Sequence, residues 1–254
     1  MAGLAQGKEI GRKKRNIYEN LFFILLVLTG GFVLLNSSFF DVSRVQVRGN
    51  HFMEEEKIRT VAGIGPGTNI FKVNLNAAAA GVKLLPMIKD VKVSRSLPST
   101  IVIEVTERKP LGLLPTSEGF IEVDRDGVYL KKTGVGVPGL PVVTGIQAPT
   151  PNPGEPVQAG RLDEALSVID GLPGDAVNKL SEVHMSENGQ VVLYTLDGIQ
   201  CRLGMASEVA EKGGVLVQIL KEIQSRGEKI HYIDLSYAGS PVVYYKHGSK
   251  GGTQ

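Results

Sequence analysis

The chain has 254 residues, with 28 Lys and Arg against 26 Asp and Glu, a net charge of +2 that gives no bulk attraction for nucleic acid. Aromatics are 6% and Trp is absent, which argues against stacking platforms for bases or sugars, and Cys201 stands alone, which excludes an internal disulfide framework and any multi-cysteine metal or iron–sulfur site. The 31 glycines announce many tight turns.

Residues 1–19 read as a basic tail, with Lys8, Arg12, Lys13, Lys14 and Arg15 against Glu9. An uncharged run then extends from Asn20 to Phe40. Its apolar body is Leu21, Phe22, Phe23, Ile24, Leu25, Leu26, Val27 and Leu28, then Phe32, Val33, Leu34 and Leu35 after Gly30-Gly31. About 20 helical residues span the ~30 Å of a bilayer core. The run is apolar on every face, unlike a core helix, and no A-x-A-like site follows it, unlike a cleaved signal peptide. The expectation is an uncleaved signal-anchor over residues 20–40. Lys/Arg bias at Arg12, Lys13, Lys14 and Arg15 would hold the N-terminus in the cytoplasm and place residues from 41 onward outside.

From Asp41 to Arg108 the expected order is β-α-α-β-β. Val45 and Val47 alternate with polar residues as a strand. Met53–Ala62 reads as a helix with Glu54, Glu55 and Glu56 in its first turn. Leu75–Leu85 is a second helical patch. Ile88–Ser94 and Thr100–Glu107 alternate as strands about a Leu97-Pro98-Ser99 turn. Gly63-x-Gly65-x-Gly67 follows a helix rather than a strand, so it is a turn and not a phosphate loop.

Residues 109–247 form a second unit. Strands are expected at Gly119–Val123, Val128–Leu130, Ser181–Met185, Val191–Thr195 and Ile199–Leu203, with an extended Pro138–Val143. Asn188-Gly189 and Asp197-Gly198 supply hairpin chemistry. Ala148–Pro156 is a proline-rich exposed loop. Arg161–Leu172 and Glu208–Arg226 have helical apolar spacing, the latter with Ser207 as its cap. Ile230–Tyr237 and Val242–Lys246 close the unit as a strand pair. Residues 248–254 read as a disordered tail. Cys201 is expected to be a buried, inert thiol.

No motif for chemistry stands out. His51, His184, His231 and His247 are scattered, and no H-E-x-x-H, G-x-S-x-G or S-x-x-K occurs. Asp124 and Asp126 read as Asp-Gly turn residues, and Asp234 as a strand-end residue. The expectation is no catalytic, cofactor-binding or metal site, no cofactor, no small-molecule substrate and no nucleic-acid partner.

Three sets of strings carry a resemblance: Phe40-Asp41-Val42-x-x-Val45-x-Val47-x-Gly49-Asn50, Asn69-Ile70-Phe71, and Val91-x-Val93-x-Arg95-x-Leu97-Pro98 with Ile101-x-Ile103-x-Val105-x-Glu107-Arg108-x-Pro110. With Ile233-Asp234-Leu235-x-Tyr237 near the end, their order is similar to the FtsQ/DivIB family of bacterial division proteins. The resemblance implies an α+β chain: one membrane helix, a POTRA domain over 41–108, and a mixed β domain with two helices over 109–247. It implies a non-catalytic scaffold at the division septum of the cytoplasmic membrane. Its partners would be FtsB/DivIC-like and FtsL-like proteins, bound through Tyr237, Ser240, Val242, Val243, Tyr244 and Tyr245 by strand addition. A membrane-tethered cell-wall hydrolase and an outer-membrane-assembly POTRA protein are the rival readings.

Overall fold

The structure, a computed structural model, describes residues 10–134 and 136–245. The residues expected as a tail, 248–254, lie outside that range, as do Lys246, His247 and the first nine residues. The chain divides into two compact units: residues up to Lys83 with Asp90–Thr106, and Leu84–Lys89 with Glu107 onward.

The first unit opens with α1 (Ile10–Leu35), of which Ile17–Leu35 is long and apolar enough to cross a membrane and has none of that stretch buried in protein. The regular helix stops short of Phe40, where the uncharged run ends. Asn36 turns both its backbone N–H and its side-chain amide onto the carbonyl of Phe32, at 3.2 and 2.9 Å, satisfying one helix-end acceptor twice over. A 3-10 turn over Ser38–Phe40 follows.

Then come β1 (Arg44–Arg48), α2 (Glu55–Ala62), α3 (Leu75–Lys83), β2 (Ile88–Ser96) and β3 (Thr100–Glu107), forming a sheet of order β1-β3-β2. β1 runs parallel to β3, with Val45 opposite Ile101 and Val47 opposite Ile103. Ile58, Ala62, Ala78 and Val82 of the helices are buried, as are Val47, Ile101, Ile103 and Val105 of the strands. Glu54 is the N-cap of α2 in extended conformation, so only Glu55 and Glu56 sit in the first turn, and Met53 precedes the helix. Asn74 caps α3 by accepting the N–H of Ala77 at 3.0 Å. Gly49 has φ +84°, and a Cβ there would lie 2.2 Å from the carbonyl of Val105, so β1 leaves the sheet where only glycine fits.

The second unit is a nine-stranded sheet. Its strands are β4 (Pro110–Thr116), β5 (Gly119–Asp124), β6 (Tyr129–Thr133), β7 (Val142–Thr144), β8 (Leu180–Met185), β9 (Gln190–Thr195), β10 (Gln200–Met205), β11 (Ile230–Asp234) and β12 (Val242–Tyr245). Their spatial order is β12-β11-β10-β9-β8-β7-β4-β5-β6. Helices α4 (Leu162–Gly171), α5 (Gly174–Val177) and α6 (Val209–Arg226) contribute to one core with the inner sheet face. That face carries a cross-strand row, Val143–Val183–Leu193–Cys201–Ile233–Val243, of which the first five are fully buried.

Four expectations change here. β4 was not anticipated, because Pro110 and Pro115 demote a strand. Leu113 sends its N–H to Pro141 at 2.9 Å on the β7 side, so Pro115 lies on that side by alternation, where β7 registers with β4 at Leu113 alone. Ser207 does not cap α6; Glu208 does, at φ +54° and without a side-chain cap bond. Arg161 likewise precedes α4 at φ +63°, and the one-turn α5 adds to the two expected helices. β11 ends at Asp234, leaving Tyr237 in a turn rather than a strand.

Candidate partner-binding edge

β10 and β11 are parallel neighbours, and a parallel pair needs a crossover, which α6 supplies. Lys212 of α6, 1% exposed, donates its ammonium to the carbonyls of Leu203 and Met205 at 3.0 and 3.3 Å and so rivets the helix to the end of β10. β12 then folds back antiparallel on β11, pairing Asp234 with Val242, Ile233 with Val243 and Tyr232 with Tyr244.

The backbone directions at this edge follow from one bond. Leu235 donates its N–H to Arg202 of β10 at 2.8 Å. Successive residues of a strand point their polar groups to opposite sides, so Ile233 also faces β10, while Tyr232 and Asp234 face β12. In β12, Val242 and Tyr244 therefore hold the ladder to β11. The N–H and C=O of Val243 point to the open side. Pro241 shares that parity, so its missing N–H costs no ladder bond.

Side chains alternate the other way. Val243 packs inward against the core beside Ile233 and Cys201. Burial pushes the Cys201 thiol up to about 12. On the outer face Arg202 lies 4.1 Å over the ring of Tyr232, which stacks on Tyr244 at 4.2 Å and 21°. Hydrogen bonding with the Tyr244 hydroxyl raises the pKa of Tyr232. Burial works to raise the carboxyl of Asp234, but the Ser236 backbone N–H at 3.0 Å, the Ser236 hydroxyl and Arg202 hold it below its ordinary value. Asp234 is thus a hydrogen-bonded strand-end residue. Tyr237 and Ser240 sit in the turn leading to β12, closed by the Ser240 N–H on the Tyr237 carbonyl at 3.1 Å. Tyr237, Ser240, Val242, Tyr244 and Tyr245 are exposed; Val243 is half-buried.

Arg202 and Tyr232 complete the outer face and were not among the expected site residues. Tyr232 has a signal in the alternation of Ile230–Asp234. Arg202 has none, since only the parallel register brings it beside β11.

Two other edges are guarded. The β1 edge lends the N–H of Val47 to the carboxylate of Glu55 at 3.4 Å. At β6, the chain around Pro156 bridges Val128, Tyr129 bonds Gly154 and Glu155, and Lys131 and Lys132 stand on the strand. Among the described residues nothing pairs with the outer side of β12.

The other expected site residues fall elsewhere. Leu21, Phe22, Phe23, Ile24, Leu25, Leu26, Val27, Leu28, Phe32, Val33, Leu34 and Leu35 all lie on α1 and are exposed to whatever surrounds it. Arg12, Lys13, Lys14 and Arg15 fall within the backbone of the same helix, Ile10–Leu35. Asp124 organises the β5–β6 turn, accepting the N–H groups of Asp126 and Val128 at 3.0 and 2.9 Å and an N–H of Arg108. No group of three His, Cys, Asp or Glu side chains with metal-binding geometry occurs among the described residues.

Comparison with known proteins gives this architecture a family. Residues 40–108 match the family model described as "POTRA domain, FtsQ-type", and residues 112–236 match "Cell division protein FtsQ/DivIB, C-terminal". The second match ends before β12. The chain is 30% identical over 233 residues to the cell division protein DivIB of Clostridium tetani, covering 89% of this chain and 87% of that one. It is 28% identical over 218 residues to the cell division protein FtsQ of Syntrophotalea carbinolica, covering 84% and 77%. It is 25% identical over 249 residues to DivIB of Clostridium botulinum strain Hall, covering 93% of each. Matched along both of its units and along 77–93% of the length of these relatives, the chain belongs to the FtsQ/DivIB family of cell division proteins.

Proposed function

We propose that this division protein is a non-catalytic scaffold anchored by α1. Its N-terminus lies in the cytoplasm and its two units lie outside the cytoplasmic membrane at the septum. It recruits other single-span division proteins of the FtsB/DivIC-like and FtsL-like kinds by strand addition to β12. The observation that carries the reading is the uncovered β12 edge of the nine-stranded sheet. An edge strand with free N–H and C=O groups is a template for another chain, and proteins blunt the edges they do not use. Here β6 is covered by the chain around Pro156, whereas the described residues of β12, Val242, Val243, Tyr244 and Tyr245, have no strand or loop paired on their outer side. Tyr237 and Ser240 flank the same edge, and the Arg202–Tyr232–Tyr244 stack gives an added strand a firm outer surface to lie beside.

Two proline substitutions in the full chain test this. Val243→Pro removes an N–H from the open side and no ladder bond, so the variant stays folded, losing only part of the Val243 side-chain packing, but binds the partner more weakly. Losing a hydrogen bond worth about 0.5–1.5 kcal/mol weakens binding roughly 2- to 13-fold, and the ring's bulk adds to that. Tyr244→Pro removes a ladder bond to β11 and lowers the melting temperature. Thermal melts and partner titration read both. Unchanged partner binding by a folded Val243→Pro protein rules the edge out. The rival hydrolase reading is met by incubating the same protein with peptidoglycan, where the scaffold yields no soluble fragments.

A further inference from the structure

We propose that the first unit docks onto the bilayer surface through Phe71, with Phe39 and Phe40 completing an aromatic anchor whose partner is the lipid headgroup layer of the membrane that α1 crosses. The proposal rests on the reading of α1 as a span.

Continuity places the patch. The side-chain amide of Asn69 donates to the carbonyl of Leu35, the last residue of α1, at 2.8 Å. Asp41 bridges Asn69, and Ile70 donates its N–H to Phe40 at 2.8 Å. The loop that carries Phe71 is thereby tied to the point where α1 ends, 36 positions earlier in sequence for that residue. The headgroup layer is roughly 5–7 Å deep on each side of the hydrocarbon, so a loop bonded to the helix end lies within it.

The chemistry suits that depth. Phe39, Phe40 and Phe71 form one run of rings, with centroids 5.1 and 5.2 Å apart. Phe39 is 63% exposed and Phe71 43%, a contiguous apolar surface that water disfavours and the headgroup–acyl boundary accepts. The exposed Lys72 follows, and a lysine can lay its stem on the apolar boundary with its ammonium among lipid phosphates.

The loop is also built to hold Phe71 outward. Arg95 of β2 donates from Nε to the carbonyl of Ile70 and from Nη2 to that of Val73, both at 2.7 Å. Phe71 donates its N–H to the Asn69 side chain at 3.0 Å, and Ile70 is fully buried beneath. Three anchors on one short loop hold the backbone that carries the exposed ring. Lipid is the occupant because it already surrounds the last turn of α1, to which the loop is bonded.

The chain lacks tryptophan, so single substitutions report depth without background. Phe22→Trp, Phe71→Trp and Phe52→Trp variants of the full chain are reconstituted into vesicles of phosphatidylcholine and phosphatidylglycerol brominated near the headgroup end of the acyl chains. Phe52 follows β1, whose five residues carry the chain about 17 Å from its start. The Phe71→Trp protein should lose about half of its emission and shift to the blue, while Phe52→Trp emission stays unchanged. A spin label on Lys72→Cys, with buried Cys201 unlabelled, should collide several-fold less with a water-soluble nickel chelate than a label on Lys57→Cys; this second readout leaves Phe71 intact. Quenching of Phe22→Trp without quenching of Phe71→Trp overturns the docking. Quenching of neither overturns the span and the docking together. Protection of Phe71→Trp or the Lys72 label only after another division protein is added assigns the patch to protein and overturns the proposal.

Discussion

Asp124 is 4% exposed and faces Arg108, whose side chain is 17% exposed, while its second carboxylate oxygen holds the N–H groups of Asp126 and Val128. Replacing it with alanine leaves the half-buried Arg108 with Asp126, at 3.0 Å, as its carboxylate partner, and strips the N–H groups of Asp126 and Val128 of their acceptor. Asp124→Ala should destabilise the second unit by about 1–3 kcal/mol, read as a lower denaturant midpoint. Cys201 acts at the other end of the pH scale. Its folded pKa, about 12, is above the ordinary 9.0, so the buried thiol favours folding fully below that ordinary value. The contribution is lost as pH rises, because the unfolded chain releases its proton first. Melts followed from about pH 8 to about pH 11 should show stability falling, and Cys201→Ala should flatten that limb relative to its own neutral value.

At the scale of elements, β1 and β3 are a matched pair: Val47 and Ile103 lie opposite each other, 8% and 0% exposed. Ile103→Asp or Val47→Asp buries an unpaired carboxylate in the core against the three-stranded sheet, at a cost of about 3–5 kcal/mol. Either variant should lose the cooperative unfolding of the first unit in hydrogen exchange while the second unit keeps its protection. These two strands were legible from alternation alone, because one face is buried and the other is not. β4 was not, since proline counts against a strand until the short β7 is known to lie beside it. The capping of α4 and α6 was also hidden, because Arg161 and Glu208 cap through left-handed backbone rather than through the side-chain oxygen that marks a cap in sequence. The edge residues Tyr237, Ser240 and Val242–Tyr245 came from family resemblance. The direction of each N–H came only from the Leu235–Arg202 bond.

For the whole molecule, the proposed topology is set by charge outside the apolar helix. A reporter active only in the cytoplasm, fused after Gln254, should be silent, and reversing Lys13, Lys14 and Arg15 to Glu should turn part of the population over and light it up. Activity from the unaltered chain would reverse the assignment.

Strands β8 to β12 are laid down in space in the order in which they occur in the chain, each neighbouring the one before. Synthesis proceeds from the N-terminus, so this half of the sheet grows by accretion and its outermost strand is the last of the five to arrive. If β12 is the partner edge, as proposed, a partner would meet it only after β11 has been delivered and α6 has crossed over to seat it. A ribosome that stalls before residue 242 leaves a chain with its membrane helix and first unit but without the terminal strand. On the proposed reading such a truncated product would occupy membrane without an edge for a partner strand, so the sheet's own geography would serve as a check on completeness.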